Sequence, residues 1–224
     1  LQVGDRFGWP VYDQGKPRLL RCLCQSEGDE ARRAAKLARI DGLTDRERSI
    51  DFALLAQTSQ NRDAQNATRA AVQHRLGPRG FLVFSGSPGV GKTTLAICAV
   101  NDARARGYAA VYETGEALLR YLRAAFGPDS TVSFDDRWSL LANATVLVLD
   151  ELALDNTPWA MRQLEELIDI RWRRIDDALT IVCTNQRIES FPPKVASRLG
   201  DARVLRPSLG STDYRRWNCN GEKS

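Results

Sequence analysis

The sequence predicts an α/β fold, a parallel sheet flanked by helices. Three observations carry this: from Phe81 onward strand and helix signals alternate, each strand signal is an almost unbroken apolar run, and a glycine-rich string joins the first run to a helix. A parallel strand buried on both faces has no polar side to show, so continuity rather than alternation marks it. The 224 residues suffice for one principal core plus a small appendage.

In chain order, Trp9 to Tyr12 and Arg18 to Cys22 flank the turn Asp13-Gln14-Gly15-Lys16-Pro17 and read as a short hairpin. Helical stretches follow at 27–40 and 44–57, the second opened by Thr44 with Glu47 three residues later, a capping box. A third runs over 61–76 and stops at Gly77-Pro78. The core then reads as strand 81–85, helix 92–106 ended by Gly107, strand 108–113, helix 116–126 stopped by Gly127-Pro128, and a shorter helix over 134–142. Strand 145–149 comes next, then helix 158–175 with Thr157 as its cap and Pro158 at its first position, strand 179–184, helix 192–199 and a last short strand 203–205. This divides the chain into an α-rich N-terminal extension with a hairpin, residues 1–60, and a main domain over 61–224.

Composition removes several classes of function. With 27% charged residues and no apolar run near the roughly 18 residues a bilayer needs, a soluble protein without a membrane span is expected. The single histidine, His74, rules out any two-histidine zinc site. The net charge of +4 is too small to announce a nucleic-acid binder, although residues 1–80 carry 14 Lys+Arg against 10 Asp+Glu and hold the whole surplus. Cys22, Cys24, Cys98, Cys183 and Cys219 form an odd, irregularly spaced set, and no secretory leader is visible, which fits a reducing, cytoplasmic compartment. Cys98 and Cys183 fall in core elements and read as packing residues.

Gly86-Ser87-Pro88-Gly89-Val90-Gly91-Lys92-Thr93 matches G-x-x-x-x-G-K-[ST] without a mismatch, between an apolar strand and a helix. Glycines let successive N–H groups turn inward, and the helix N-terminus adds partial positive charge where phosphates would sit. Lys92 would reach the β and γ phosphates, and the Thr93 hydroxyl would bind Mg²⁺. Asp150 ends the apolar run Val146-Leu147-Val148-Leu149 where a strand tip would offer the metal a carboxylate, and Glu151 follows it as acceptor for the proton of an attacking water. Asn185 ends the next apolar strand, where a neutral amide can hold that water without adding a third negative charge.

The order of this loop, Asp150-Glu151, Thr184-Asn185 and Ala196-Ser197-Arg198-Leu199 resembles the AAA+ ATPases of the ASCE class of P-loop NTPases. More narrowly it resembles bacterial and phage replicative helicase loaders of the DnaC/DnaI type, with the IstB transposition ATPases as close relatives. The resemblance runs from about Ile50-Asp51-Phe52 to Tyr214-Arg215. It implies that ATP is held by Gly86, Ser87, Pro88, Gly89, Val90, Gly91, Lys92, Thr93 and Thr94, with Mg²⁺ on Thr93 and Asp150. Glu151 is then the catalytic base, Asn185 the first sensor, and Arg198 an arginine finger reaching the nucleotide of a neighbouring subunit, so that hydrolysis depends on an ATP-dependent homo-oligomer. The resemblance further implies that no full lid domain is to be expected after Arg198 and that Arg215 stands in for the second sensor.

The implied task is delivery of a hexameric replicative helicase to single-stranded DNA. A transposition helper that binds duplex DNA and a transposase is the nearest alternative; a P-loop small-molecule kinase and a nucleotide-gated module without turnover are others. The family carries an element associated with single-stranded DNA over the region of residues 116–138, where Arg120 and Arg123 share a helix face beside Tyr121, Phe126, Phe134 and Trp138. An amphipathic helix with a polar outer face is an equal reading. Arg171, Arg173 and Arg174 read as a solvated helix end. Similar loaders often have an N-terminal zinc module. Cys22 and Cys24 supply at most half of one, so no complete zinc site is expected, its other pair being lost or upstream of Leu1.

Overall fold

The computed structural model describes residues 10–13, 16–19, 23–38, 40–128, 130–153 and 157–214. Strands β1 (Pro10–Asp13) and β2 (Lys16–Leu19) pair antiparallel from Pro10↔Leu19 to Asp13↔Lys16, and helix α1 (Leu23–Leu37) follows. Helix α2 (Arg62–Val72) precedes β3 (Gly80–Ser85) and α3 (Lys92–Ala105). Next come β4 (Ala110–Thr114), α4 (Gly115–Arg123), α5 (Phe134–Ala142), β5 (Val146–Asp150), α6 (Pro158–Arg173), β6 (Leu179–Thr184) and α7 (Pro193–Leu199). The main sheet is parallel, with strand order β3-β6-β5-β4. Among the described residues, no helix is long and apolar enough to cross a membrane.

Alternate side chains of each strand enter opposite cores, as the two-residue repeat requires. Phe81, Val83, Val111, Leu147, Leu149 and Val182 pack under α4, α5, α6 and α7, where Leu37 of α1 joins them. Leu82, Phe84, Tyr112, Val148, Ile181 and Cys183 face α2 and α3, together with Leu43 and Phe52. The register sets Thr114 beside Asp150 and Ser85 beside Thr184, so the polar ends of all four strands share one edge. This edge positions the site.

Three local expectations need correction. The capping box at Thr44 forms, with Thr44 N–H donating to Glu47 Oε2 at 2.9 Å, yet no helix grows over 44–57. Asn101 of α3 donates to the carbonyls of Glu47 (2.8 Å) and Ile50 (2.7 Å), and Asp51 Oδ1 accepts from Ala53 N–H and Leu54 N–H. These bonds divide the stretch into two 3₁₀ turns, Glu47–Ser49 and Phe52–Leu54. The strand expected over 203–205 is a single bridge, Leu205 exchanging backbone bonds with Phe81 and Val83, because Pro207 has no N–H to extend the ladder. Thr157 provides no side-chain cap for α6; its hydroxyl accepts from Arg123 Nη2 at 3.2 Å.

Arg171 is likewise not a solvated helix end: it is fully buried. Its Nε donates to Thr180 Oγ1 (2.8 Å), and its terminal nitrogens donate to the carbonyls of Ala144 (2.5 Å), Leu179 (2.6 Å) and Ala142 (3.2 Å). Burial pulls its pKa down to about 9, still above neutrality, so one charge ties α6 to the starts of β5 and β6. An Arg171→Leu variant takes a donor from Ala144 O, Leu179 O and Thr180 Oγ1, while Ala142 O keeps Arg174 Nη1 at 2.6 Å, and is expected to lose about 3–5 kcal/mol, at roughly 1–3 per buried acceptor deprived of a donor. Thermal unfolding followed by circular dichroism should show a Tm lower by about 10 °C.

Candidate functional site

The loop between β3 and α3 depends on three positive φ angles, at Gly86 (+144°), Gly89 (+86°) and Gly91 (+94°), which residues with a Cβ rarely adopt. At Gly89 a Cβ would in addition lie 1.8 Å from a carboxylate oxygen of Asp213, so that the Asp213 side chain would have to move aside. Lys92 opens α3 with its ammonium folded back, donating to Gly86 O at 2.7 Å and Ser87 O at 2.8 Å. Val90 points into the core beneath the loop.

Asp150 is buried at the tip of β5 and anchored on both oxygens. Oδ2 accepts from Tyr112 Oη at 2.6 Å and Oδ1 from Glu151 N–H at 2.7 Å. Burial, with the Asp150 hydrogen bond and charge behind it, pushes the Tyr112 phenol well above its ordinary pKa, so Tyr112 stays a donor. Burial and the same carboxylate raise the Cys183 thiol, which packs against Lys92 O. Glu151 is the one non-glycine residue with positive φ (+50°) among the described residues. Such a conformation persists only when its surroundings over-determine it. Here Leu152 N–H donates to Cys183 O (2.9 Å) and Thr184 Oγ1 donates to Leu152 O (2.8 Å), pinning the chain just after Glu151 to β6. The Glu151 side chain is left exposed.

These elements enclose a cleft of about 270 Å³. It is lined by Pro88, Gly89, Gly91, Lys92, Thr93 and Thr94 of the loop and α3, by Asp150 and Glu151, and by Thr184 and Asn185. Tyr214 closes one side, with its N–H donating to Gly89 O (3.0 Å) and its hydroxyl 3.3 Å from Thr58 Oγ1. Beyond Tyr214, Gly91 and Thr94 lies an apolar recess of about 170 Å³ against Leu54, Leu55 and Leu209. Tyr112 and the side chain of Thr184 escaped sequence reasoning as parts of the site. Tyr112 sits inside an apolar strand and meets Asp150 only across the sheet.

The donor set suits a magnesium-bound polyphosphate. Thr93 and Asp150 offer the hard oxygens this ion prefers. Among the described residues no three His, Cys, Asp or Glu side chains could hold a metal by themselves, so phosphate and water would have to complete the shell. A Tyr112→Phe variant removes one of the two bonds that orient Asp150. It is expected to weaken the magnesium dependence of any turnover about 10- to 100-fold with little change in fold, read from phosphate release against Mg²⁺ concentration.

Arg198, on α7, does not line the cleft; its Nε donates to Asp169 Oδ1 at 2.7 Å. On α4, Arg120 lies 3.8 Å from Glu116, and the Arg123 guanidinium sits 5.0 Å from the Trp159 ring centroid. Phe126 and Phe134 stack at 5.5 Å and Phe134 and Trp138 at 5.9 Å, so these aromatics mainly face one another, although Phe126 remains 67% exposed. Glu151 and Arg123 both line a second cavity, of about 300 Å³, between the β5 tip and α4. Arg215, Cys22 and the Cys24 side chain lie outside the described residues.

Residues 19–205 match the family described as IstB-like ATP binding protein. The chain is 33% identical over 106 residues to an insertion sequence IS5376 ATP-binding protein of Geobacillus stearothermophilus, a stretch covering 47% of this chain and 40% of that relative. AMPPCP-bound DnaA from Aquifex aeolicus has a similar fold, with a TM-score of 0.64 at 16% identity over 78% of this chain and 54% of that one. So does the DnaC helicase loader, with a TM-score of 0.60 at 20% identity over 74% of this chain and 100% of that one.

Proposed function

Because the chain belongs to the family of IstB-like ATP binding proteins, we propose that it is a magnesium-dependent, self-associating AAA+ ATPase that couples ATP hydrolysis to a task on DNA. What supports this most is the convergence of Lys92, Thr93, Asp150, Glu151 and Asn185 on one cleft. The Lys92 ammonium exchanges the Gly86 and Ser87 carbonyls for phosphate oxygens, and the loop amides and the α3 N-terminus take the remaining charge. Thr93 and Asp150 would hold Mg²⁺, which supplies charge neutralisation to the phosphates. Tyr112 holds Asp150 in orientation. Asn185 orients the attacking water, and Glu151 accepts its proton as the oxygen bonds to the γ-phosphorus and ADP leaves. The apolar recess beside Tyr214 takes the base. Arg198 of a neighbouring subunit completes the charge at the γ-phosphate.

Two tasks remain in contention. The family and the insertion-sequence relative favour a transposition helper acting with a transposase on duplex DNA. Loading a replicative helicase onto single-stranded DNA is the second reading, favoured by the Arg120 and Arg123 face of α4, of which Arg123 lines the cavity that also contains Glu151. Residues 1–60 are assigned to partner docking in both readings, and residues 61–224 to the ATPase. Phosphate release measured alone, with single-stranded DNA and with duplex DNA, together with binding to a purified transposase and a purified replicative helicase, separates them. Duplex stimulation with transposase binding supports the helper, and single-strand stimulation with helicase binding supports the loader. Absence of phosphate release under every condition contradicts both.

A further inference from the structure

Outside the lining of the cleft, α6, α7 and the turn after α7 build a two-arginine platform. The Arg198 guanidinium lies 4.0 Å and that of Arg203 4.1 Å from the centroid of one ring, Trp172. Each arginine is buttressed through Nε: Arg198 by Asp169 Oδ1 at 2.7 Å, and Arg203 by Asp201 Oδ1 at 3.2 Å. Asp169 also receives Arg173 at 2.7 Å, and although burial opposes its ionised form, these two arginines hold its carboxyl below the usual range. Arg206 donates to Leu199 O (3.0 Å) and Asp201 O (3.1 Å), bracing the turn that carries Arg203.

A bond through Nε leaves the terminal Nη pair, the planar fork that grips a phosphate bidentately. The contrast with Arg171 is instructive. That scaffolding arginine is fully buried, with Nε and both terminal nitrogens on protein acceptors, whereas the side chains of Arg198 and Arg203 keep 29% and 50% of their exposure. Bringing two cations to one indole costs repulsion, which the ring face and two carboxylates offset. Scaffolding needs only one of them; a polyanion needs both.

We propose that Trp172 and Asp169 are positioning residues that present Arg198, and that Arg203 is a second cation on the same platform, both meeting the triphosphate bound by a neighbouring copy of the chain. This rests on the ATPase reading above. None of these residues lines the chain's own cleft, which leaves the platform to meet a triphosphate held by another copy.

Subunit mixing tests it. Arg203→Gln alters an exposed side chain and is expected to lower kcat about 10²-fold in the assembled protein, with KM for ATP within about twofold and an unchanged melting temperature. Asp169→Asn and Trp172→Leu, which loosen the seat of Arg198, should lower kcat likewise with KM for ATP little changed, but at a lower melting temperature, because Asp169 is buried and Trp172 packs against the core. Each variant is mixed with Glu151→Gln, which keeps an intact platform but lacks the base. Turnover well above that of either variant alone is expected, because the intact platform of one subunit serves the intact cleft of the other. If Arg198→Ala recovers on mixing but Arg203→Gln, Asp169→Asn and Trp172→Leu do not, the platform is overturned while the ATPase reading stands. If Arg198→Ala hydrolyses ATP like the native chain, the inter-subunit finger and the platform both fall.

Discussion

Glu151→Gln is expected to bind magnesium and ATP as the native chain does and to hydrolyse ATP about 10²- to 10⁴-fold more slowly, the usual worth of a positioned general base. The amide matches the carboxylate in shape but cannot accept a proton from water. Little else should change. The side chain is exposed, and the unusual backbone at this residue is held by bonds from Leu152 N–H and Thr184 Oγ1, neither of which involves the Glu151 carboxylate. The check pairs phosphate release with equilibrium binding of a fluorescent ATP analogue. Native turnover by the variant would remove Glu151 from the chemistry, whereas loss of binding would make it a ligand of the nucleotide instead.

Lys92→Ala should fail earlier, at binding. Among the described residues lining the cleft, Lys92 supplies the cationic side chain, against the carboxylates of Asp150 and Glu151. Without it a triphosphate would meet two negative side chains with only backbone amides in support. Truncating one partner of a buried, hydrogen-bonded charge pair costs about 2–5 kcal/mol, which places the loss of affinity at roughly 30- to several thousand-fold. The same analogue titration reads it. A dissociation constant within about twofold of native would mean that the phosphates lie elsewhere.

Much of this site is legible in sequence because it is built from strand ends. An apolar run that stops at Asp150, and another that stops before Asn185, announce side chains at one edge of a parallel sheet, and the glycine-rich string between β3 and α3 marks the edge that binds anions. What stayed hidden depends on contacts distant in sequence. Tyr112 and Asp150 are 38 positions apart and meet because β4 pairs with β5. The failed helix over 44–57 has a sound start signal, but Asn101, from α3, takes its carbonyls. Arg171 carries the charge of a surface residue and is buried because three backbone carbonyls converge on it from the end of α5, the loop after it and β6, which periodicity cannot align. The pairing of Arg198 and Arg203 on Trp172 is likewise a product of how α7 folds back on α6.

Calorimetric titration of the native chain with a slowly hydrolysed ATP analogue, in excess magnesium, reaches the central claim most directly. Saturable heat at one nucleotide per chain, abolished in Lys92→Ala and preserved in Glu151→Gln, is the result predicted. Absence of saturable heat from the native chain, or an isotherm that Lys92→Ala reproduces, would contradict it.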